Sequence, residues 1–193
     1  MKFVAIVLAA GSATRMGVDK LALPWEGSTV LERAVAPFLV SSRIAEVVLV
    51  VQPGFRVPVG LAGARVVENP RHREGMGASL RAGVAATDAD SWLVALGDMP
   101  RVATSTVEAV IDAVLEGTHG MVVPVYRGRR GHPVAIAAKY REPLLQVRGD
   151  EGARSILRDH PEDLRLLPVD DPGVVFDLDT PADLDTPSDL DPR

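Results

Sequence analysis

The chain has 193 residues, the size of one domain, and is 47% hydrophobic but only 4% aromatic, so its core must rest on Val, Leu, Ile and Ala. A net charge of -5 argues against broad nucleic-acid binding, because phosphate-backbone binders carry a basic excess, yet leaves room for a small basic pocket. Without cysteine there is no disulfide framework, thiolate metal site or cysteine nucleophile, which fits a reducing, cytoplasmic setting.

The first apolar run, Phe3–Ala9, is far shorter than the roughly 20 residues that span a bilayer and reads as a buried first strand. Gly11 and Gly17 then permit close backbone approach to an anion. Between and beyond them Arg15 offers a forked guanidinium and Lys20 a point charge, together able to neutralise a triphosphate. The loop is neither a Walker A sequence nor a Gly-x-Gly-x-x-Gly dinucleotide fingerprint.

Thr29 and Glu32 form a capping box that opens a helix toward Val40, with Pro37 expected to kink it. Strands follow at Glu46–Val51 and Arg65–Glu68, separated by a Gly/Pro-rich loop over Pro53–Gly63. After Asn69-Pro70 comes a helix over Met76–Ala86, where Ser79 in the first turn and free N–H groups are candidates to hold an anion or a base.

Trp92–Leu96 is a strand that ends in Gly97-Asp98-Met99-Pro100, leaving Asp98 at its carboxyl edge. Ser105 and Glu108 read as a second capping box for a helix toward Glu116. Strands are expected at Met121–Tyr126, Pro133–Ala137 and Val174–Phe176. His132, between Gly131 and Pro133 at a strand's start, is a candidate to donate to a phosphate or to a polar ring, with Arg127, Arg129 and Arg130 adding positive charge nearby. The stretch Gly149–Ser155 reads as the start of another helix, with Asp150 as its N-cap.

Asp177 and Asp179 share one side of an extended segment. Magnesium prefers one or two carboxylates with water and substrate phosphates, a role that suits Asp98 and Asp177, with Asp179 a lesser candidate. A short tandem similarity closes the chain, Asp179–Leu184 and Asp185–Leu190, and residues 185–193 read as an acidic, mobile tail beyond a domain of residues 1–184.

Strands alternating with helices imply right-handed crossovers and a mainly parallel sheet, whose ligands bind beyond the carboxyl ends of the strands. That expectation falls on the loops after Ala9, Glu68 and Leu96.

Leu8-Ala9-Ala10-Gly11, Arg15-Met16-Gly17 and Lys20 together resemble the signature of the nucleotidyltransferase superfamily that includes the molybdenum-cofactor cytidylyl- and guanylyltransferases. Ala13 departs from its usual Gly or Ser. Leu96–Pro100 resembles the metal-binding turn of these enzymes, and Asp177–Leu184 their C-terminal motif. Gly75–Leu80, Gly131–Pro133 and Gly149–Arg154 resemble the cytidylyl branch.

The resemblance implies a Rossmann-like, three-layer α/β fold of the nucleotide-diphospho-sugar transferase type. It implies that Leu8, Ala9, Ala10, Gly11, Arg15, Lys20 and Ser79 bind the nucleotide, that Arg15, Lys20 and Asp98 act in catalysis, and that Asp98 and Asp177 hold Mg2+. His132, Asp150 and Arg154 would then bind the acceptor. The implied reaction moves CMP from CTP to molybdopterin, with transient contact to a molybdoenzyme or its chaperone, and involves neither nucleic acid nor membrane. Guanylyl transfer to molybdopterin, transfer to phospholactate or phosphoenolpyruvate, and a non-catalytic cofactor carrier are the alternatives.

Overall fold

The computed structural model describes residues 1–11, 20–178 and 183. In chain order the strands are β1 (Phe3–Leu8), β2 (Pro24–Trp25), β3 (Ser28–Thr29), β4 (Ile44–Val51), β5 (Arg65–Glu68), β6 (Ser91–Leu96), β7 (Met121–Tyr126), β8 (Arg129–Arg130), β9 (Val134–Ala137) and β10 (Leu164–Pro168). The helices are α1 (Val30–Val40), α2 (Met76–Ala85), α3 (Thr104–Leu115), α4 (Arg141–Gln146) and α5 (Arg154–Asp159).

The main sheet runs β10-β7-β9-β6-β1-β4-β5, with β8 paired to β7. β1, β4, β5 and β6 are parallel, as are β7 and β10, while β9 lies antiparallel between β6 and β7. Strand β1 is buried along its whole length, and its alternation sorts two cores. Phe3, Ala5 and Val7 pack with Leu31, Val35 and Phe38 of α1 and Val107, Val110 and Ile111 of α3. Val4, Ile6 and Leu8 pack on the other face with Leu80 and Val84 of α2, Leu144 of α4 and Leu157 of α5. The period of two along a strand therefore makes a three-layer α/β molecule, as the family resemblance implied.

Chain direction around β1 positions the site. From β1 the chain moves outward through β4 and β5, then returns as β6 on the opposite flank of β1. Connections leave in opposite directions at this point, so the carboxyl ends of β1 and β6 border a crevice, the usual ligand position in open α/β sheets. Because β9 is antiparallel, it starts at that same edge, which brings His132 to it.

Several sequence expectations change. The Thr29–Glu32 box is present, and α1 runs through Pro37 to Val40. The Ser105–Glu108 box does not form: α3 starts at Thr104, and Asp171 caps it by accepting from the Ala103 N–H at 3.0 Å and the Thr106 hydroxyl at 2.6 Å. Glu108 instead takes Arg43 at 3.0 Å. Val174–Phe176 is not a strand, because residues Pro172–Val175 form a 3-10 turn. The strand that pairs with β7 at that edge is β10, whose Leu164–Pro168 sequence the pattern reading passed over.

Candidate active site

Strand β1 ends at Leu8, and Leu8, Ala9 and Ala10 are buried, so the polar groups this stretch can offer a ligand are those of its backbone. Two groups are already engaged: the Ala9 N–H donates to the Val50 carbonyl at 2.8 Å, and the Leu8 carbonyl accepts from Gly97 at 2.9 Å. The exposed Gly11 follows, with open space where a Cβ would stand. Arg15 lies outside the described residues, as does Asp179. Lys20 is described and reaches back to the end of β6, where its Nζ sits 2.7 Å from Asp98 Oδ2. Both side chains remain about a quarter exposed, at 24% and 22%.

Asp98 is also tied to the C-terminal segment. The Leu178 N–H donates to the Asp98 backbone carbonyl at 3.0 Å, so Asp177, itself exposed, sits one residue from that bond. A second tie is Arg101, whose guanidinium lies 4.0 Å from the Phe176 ring centre and 5.2 Å from that of Trp25. Burial lowers the Arg101 pKa, while Glu26 and Asp183 oppose that shift. Trp25 and Phe176 lie 6.1 Å apart and form a small apolar cluster with Val30 and Leu178. Arg101 gave no signal in the sequence, since an arginine's aromatic neighbours come from segments 76 and 75 residues away (101 - 25 and 176 - 101).

Beside this edge lies a cavity of about 410 Å³. Its floor is apolar, with Leu8, Leu80, Val94 and Leu96, and its rim carries Arg130, Arg154 and Glu151. His132 lines it, with Nδ1 3.2 Å from the Val94 carbonyl and its backbone N–H donating to Val174 at 2.9 Å. Burial lowers the His132 pKa, the Val94 bond and the Asp98 charge raise it, and the Arg154 charge lowers it further. Burial thus favours the uncharged imidazole, which lies within electrostatic reach of both the strand-end carboxylate and the rim arginine. Gly131 is required here, because a Cβ would overlap the Val174 carbonyl. The turn Arg127-Gly128 returns the chain as β8 and carries Arg130 to the rim.

The start of α2 behaves differently from the sequence expectation. Its N–H groups are taken within the protein: Met76 donates to Asp150 Oδ1 at 3.3 Å, Gly77 to the Gly149 carbonyl at 2.8 Å, and Ala78 to Gly75 at 3.1 Å. Asp150 therefore caps α2, whereas α5 starts after Ala153 with no side-chain cap. Gly75, at φ +100, has no room for a side chain, since a Cβ would stand 2.6 Å from both Asp150 Oδ1 and the Gly149 backbone. Ser79 is buried at 4% exposure, and its hydroxyl accepts from Asn69 Nδ2 at 3.1 Å. Asn69, unnoticed as a partner in the sequence, links the end of β5 to α2.

Among the described residues no cluster of three or more His, Cys, Asp or Glu side chains can hold a metal, and no helix is long and apolar enough to cross a membrane. Two carboxylates on hydrogen-bonded segments do fit Mg2+ chemistry, provided that phosphate oxygens and water complete the shell. Asp98 and Asp177 are so placed, with the Lys20 ammonium paired to the first of them.

Residues 5–164 match the MobA-like NTP transferase domain. The chain is 33% identical over 186 residues to nicotine blue oxidoreductase of Paenarthrobacter nicotinovorans, covering 91% of each chain. It is 25% identical over 184 residues to the molybdenum cofactor cytidylyltransferase of Escherichia coli K12, covering 91% of this chain and 90% of that one. The crystal structure of Rv0371c from Mycobacterium tuberculosis H37Rv superposes with a TM-score of 0.81 at 28% identity, over 94% of this chain and 95% of that one. A manganese complex of the same protein superposes with a TM-score of 0.74.

Proposed function

This chain belongs to the MobA-like NTP transferase family and is a nucleotidyltransferase, and from that premise we propose that it transfers CMP from CTP to molybdopterin with Mg2+. The observation that carries this reading is the meeting of Lys20, Asp98 and the segment bearing Asp177 at the end of β6. It is supported by the likeness to a cytidylyltransferase over nine-tenths of both chains.

In this reading the Leu8–Gly11 backbone, Arg15 and Lys20 hold the triphosphate, with Ser79 near the base. Asp98 and Asp177 hold Mg2+, which when bound offsets phosphate charge and orients the α-phosphate. Arg130 and Arg154 attract the anionic acceptor, His132 faces its ring, and Asp150 keeps the wall of the cavity in place by capping α2. An oxygen of the acceptor's phosphate then bonds to the α-phosphorus as the bond to the β-phosphate oxygen breaks, and pyrophosphate leaves. The attacking phosphate is already ionised at neutral pH, so no protein base is needed. Alignment and charge stabilisation do the chemistry.

One relative is named an oxidoreductase, but the β1 loop of this chain lacks the Gly-x-Gly-x-x-Gly sequence that brings a dinucleotide's pyrophosphate to a helix start. Pyrophosphate release from CTP, GTP, ATP and UTP, each with purified molybdopterin, tests the proposal. CTP should give the fastest release. Preference for GTP would move the chain to guanylyl transfer, and acceptor binding without release from any nucleotide would make it a carrier.

A further inference from the structure

His132 does not keep a free choice of hydrogen-bond direction. A carbonyl oxygen only accepts, so the 3.2 Å contact between Nδ1 and Val94 places the ring proton on Nδ1. A neutral imidazole has one such proton, which leaves Nε2 as a lone-pair acceptor. Among the described residues no group bonds Nε2. Around the ring the cavity floor is apolar, and the charged groups that face it are Asp98 from the turn after β6 and Arg154 from the start of α5, with Arg130, Glu151 and Arg158 on the rim. Arg158 is partnered, lying 3.7 Å from Glu151 and 3.4 Å from Asp159. A cavity of about 410 Å³ is also larger than a three-carbon phosphorylated acid can fill, and is of the size that encloses a ring system.

We propose that His132 selects the acceptor by accepting a hydrogen bond at Nε2 from a ring N–H or amino group, so that the site takes a phosphorylated heterocycle with such a donor and rejects small phosphorylated acids that have none. This reverses the donor role that the sequence suggested for His132, and it rests on the transferase reading above. The apolar floor receives the flat body of the heterocycle, and the two rim arginines, Arg130 and Arg154, draw its anionic end toward the crevice at Asp98. An acceptor that a ligand covers without supplying a donor disfavours that ligand.

Two substitutions separate the ring's nitrogens. His132→Asn puts an amide nitrogen near the Nδ1 position, keeping donation to Val94, and deletes the Nε2 acceptor. His132→Gln extends an amide oxygen to the Nε2 position. With molybdopterin as acceptor, His132→Asn should raise the acceptor KM about three- to tenfold while leaving the CTP KM and the melting temperature unchanged. His132→Gln should restore the acceptor KM to within about twofold, and phosphoenolpyruvate should be a poor acceptor for all three proteins. In the free wild-type protein, long-range proton–nitrogen NMR should show a protonated Nδ1 and an unprotonated Nε2. A proton on Nε2, or an acceptor KM in His132→Asn equal to that of wild type, overturns the proposal while the transferase reading stands. Absence of turnover by wild type with every nucleotide overturns the transferase reading, and the selection role falls with it.

Discussion

At the scale of single residues, the decisive contact is the 2.7 Å pair between Lys20 and Asp98. Under the roles proposed for them, Lys20 for phosphate and Asp98 for the metal, this pair means that each ligand must displace one partner from the other. On that proposal a magnesium–nucleotide complex would do both at once, its phosphates drawing Lys20 and its metal drawing Asp98. Lys20→Met should therefore raise the CTP KM by tenfold or more, because it removes a charge-assisted contact to phosphate. The same substitution should tighten Mn2+ binding to the nucleotide-free protein, as measured by electron paramagnetic resonance. Weaker Mn2+ binding in the variant would mean that the lysine does not compete with the metal. Both residues were legible in the sequence, because a basic residue after a glycine-bearing loop and an acid after an apolar strand stand out from their surroundings. Their pairing was not legible, since they lie 78 positions apart. His132 was legible as a candidate, but its bond to the Val94 carbonyl was not, because the partner is a backbone group 38 positions away.

At the scale of elements, local rules succeeded where the partner is local and failed where it is distant. The Thr29–Glu32 box joins residues three apart and is present. The Ser105–Glu108 box matches the same pattern, but Asp171 reaches the start of α3 from 65 and 68 residues away and takes its place. Asp150 likewise caps α2 across 74 residues instead of its own helix. Asp171→Ala should cost about 1 kcal/mol, a typical N-cap loss, and lower the melting temperature by about 2–4 °C. Ser105→Ala should leave it unchanged in thermal unfolding. The turn after β6 and the segment Phe176–Leu178 are joined by the stacking of Arg101 on Phe176 and by the Leu178–Asp98 bond. Replacing Arg101 with Met removes a cation–π contact of about 1 kcal/mol and loosens the segment that bears Asp177. Titration of activity with Mg2+ should then show a requirement about fivefold higher, with the CTP KM little changed. An unaltered Mg2+ titration would separate Asp177 from the metal.

For the whole molecule, sequence patterning was enough for the layers and not for the edges of the sheet. Strands buried on both faces are continuous apolar runs, which made β1, β6, β7 and the Val47–Val51 part of β4 plain. Edge strand β10 mixes Leu with Arg and ends in Pro, so its pairing to β7 had to come from the fold. That edge is fastened by Asp163, which accepts from the Gly120 N–H at 3.0 Å and the Tyr140 hydroxyl at 2.6 Å and pairs with Lys139 at 2.6 Å. Burial alone would raise the Asp163 pKa, but these three groups outweigh it and hold it at about 2. A carboxyl whose folded pKa lies below its unfolded value of about 3.9 stabilises the protein above the latter and loses that contribution as pH falls toward the former. Asp163→Asn should thus cost roughly 1–2 kcal/mol at pH 7, and the gap from wild type should close between about pH 4 and pH 2 in denaturant unfolding. A gap that is constant across this range would assign the loss to packing.

The central claim is that nucleotidyl transfer occurs at the carboxyl edge of β1 and β6, around Asp98. The most direct measurement is pyrophosphate release from CTP with molybdopterin and Mg2+, compared between wild type and Asp98→Asn of equal circular dichroism and melting temperature. Wild type should turn over, and the variant should lose at least about a hundredfold, the scale of losing a group that stabilises transition-state charge. Release within a few-fold of wild type in the variant would contradict the claim and move the chemistry away from this edge.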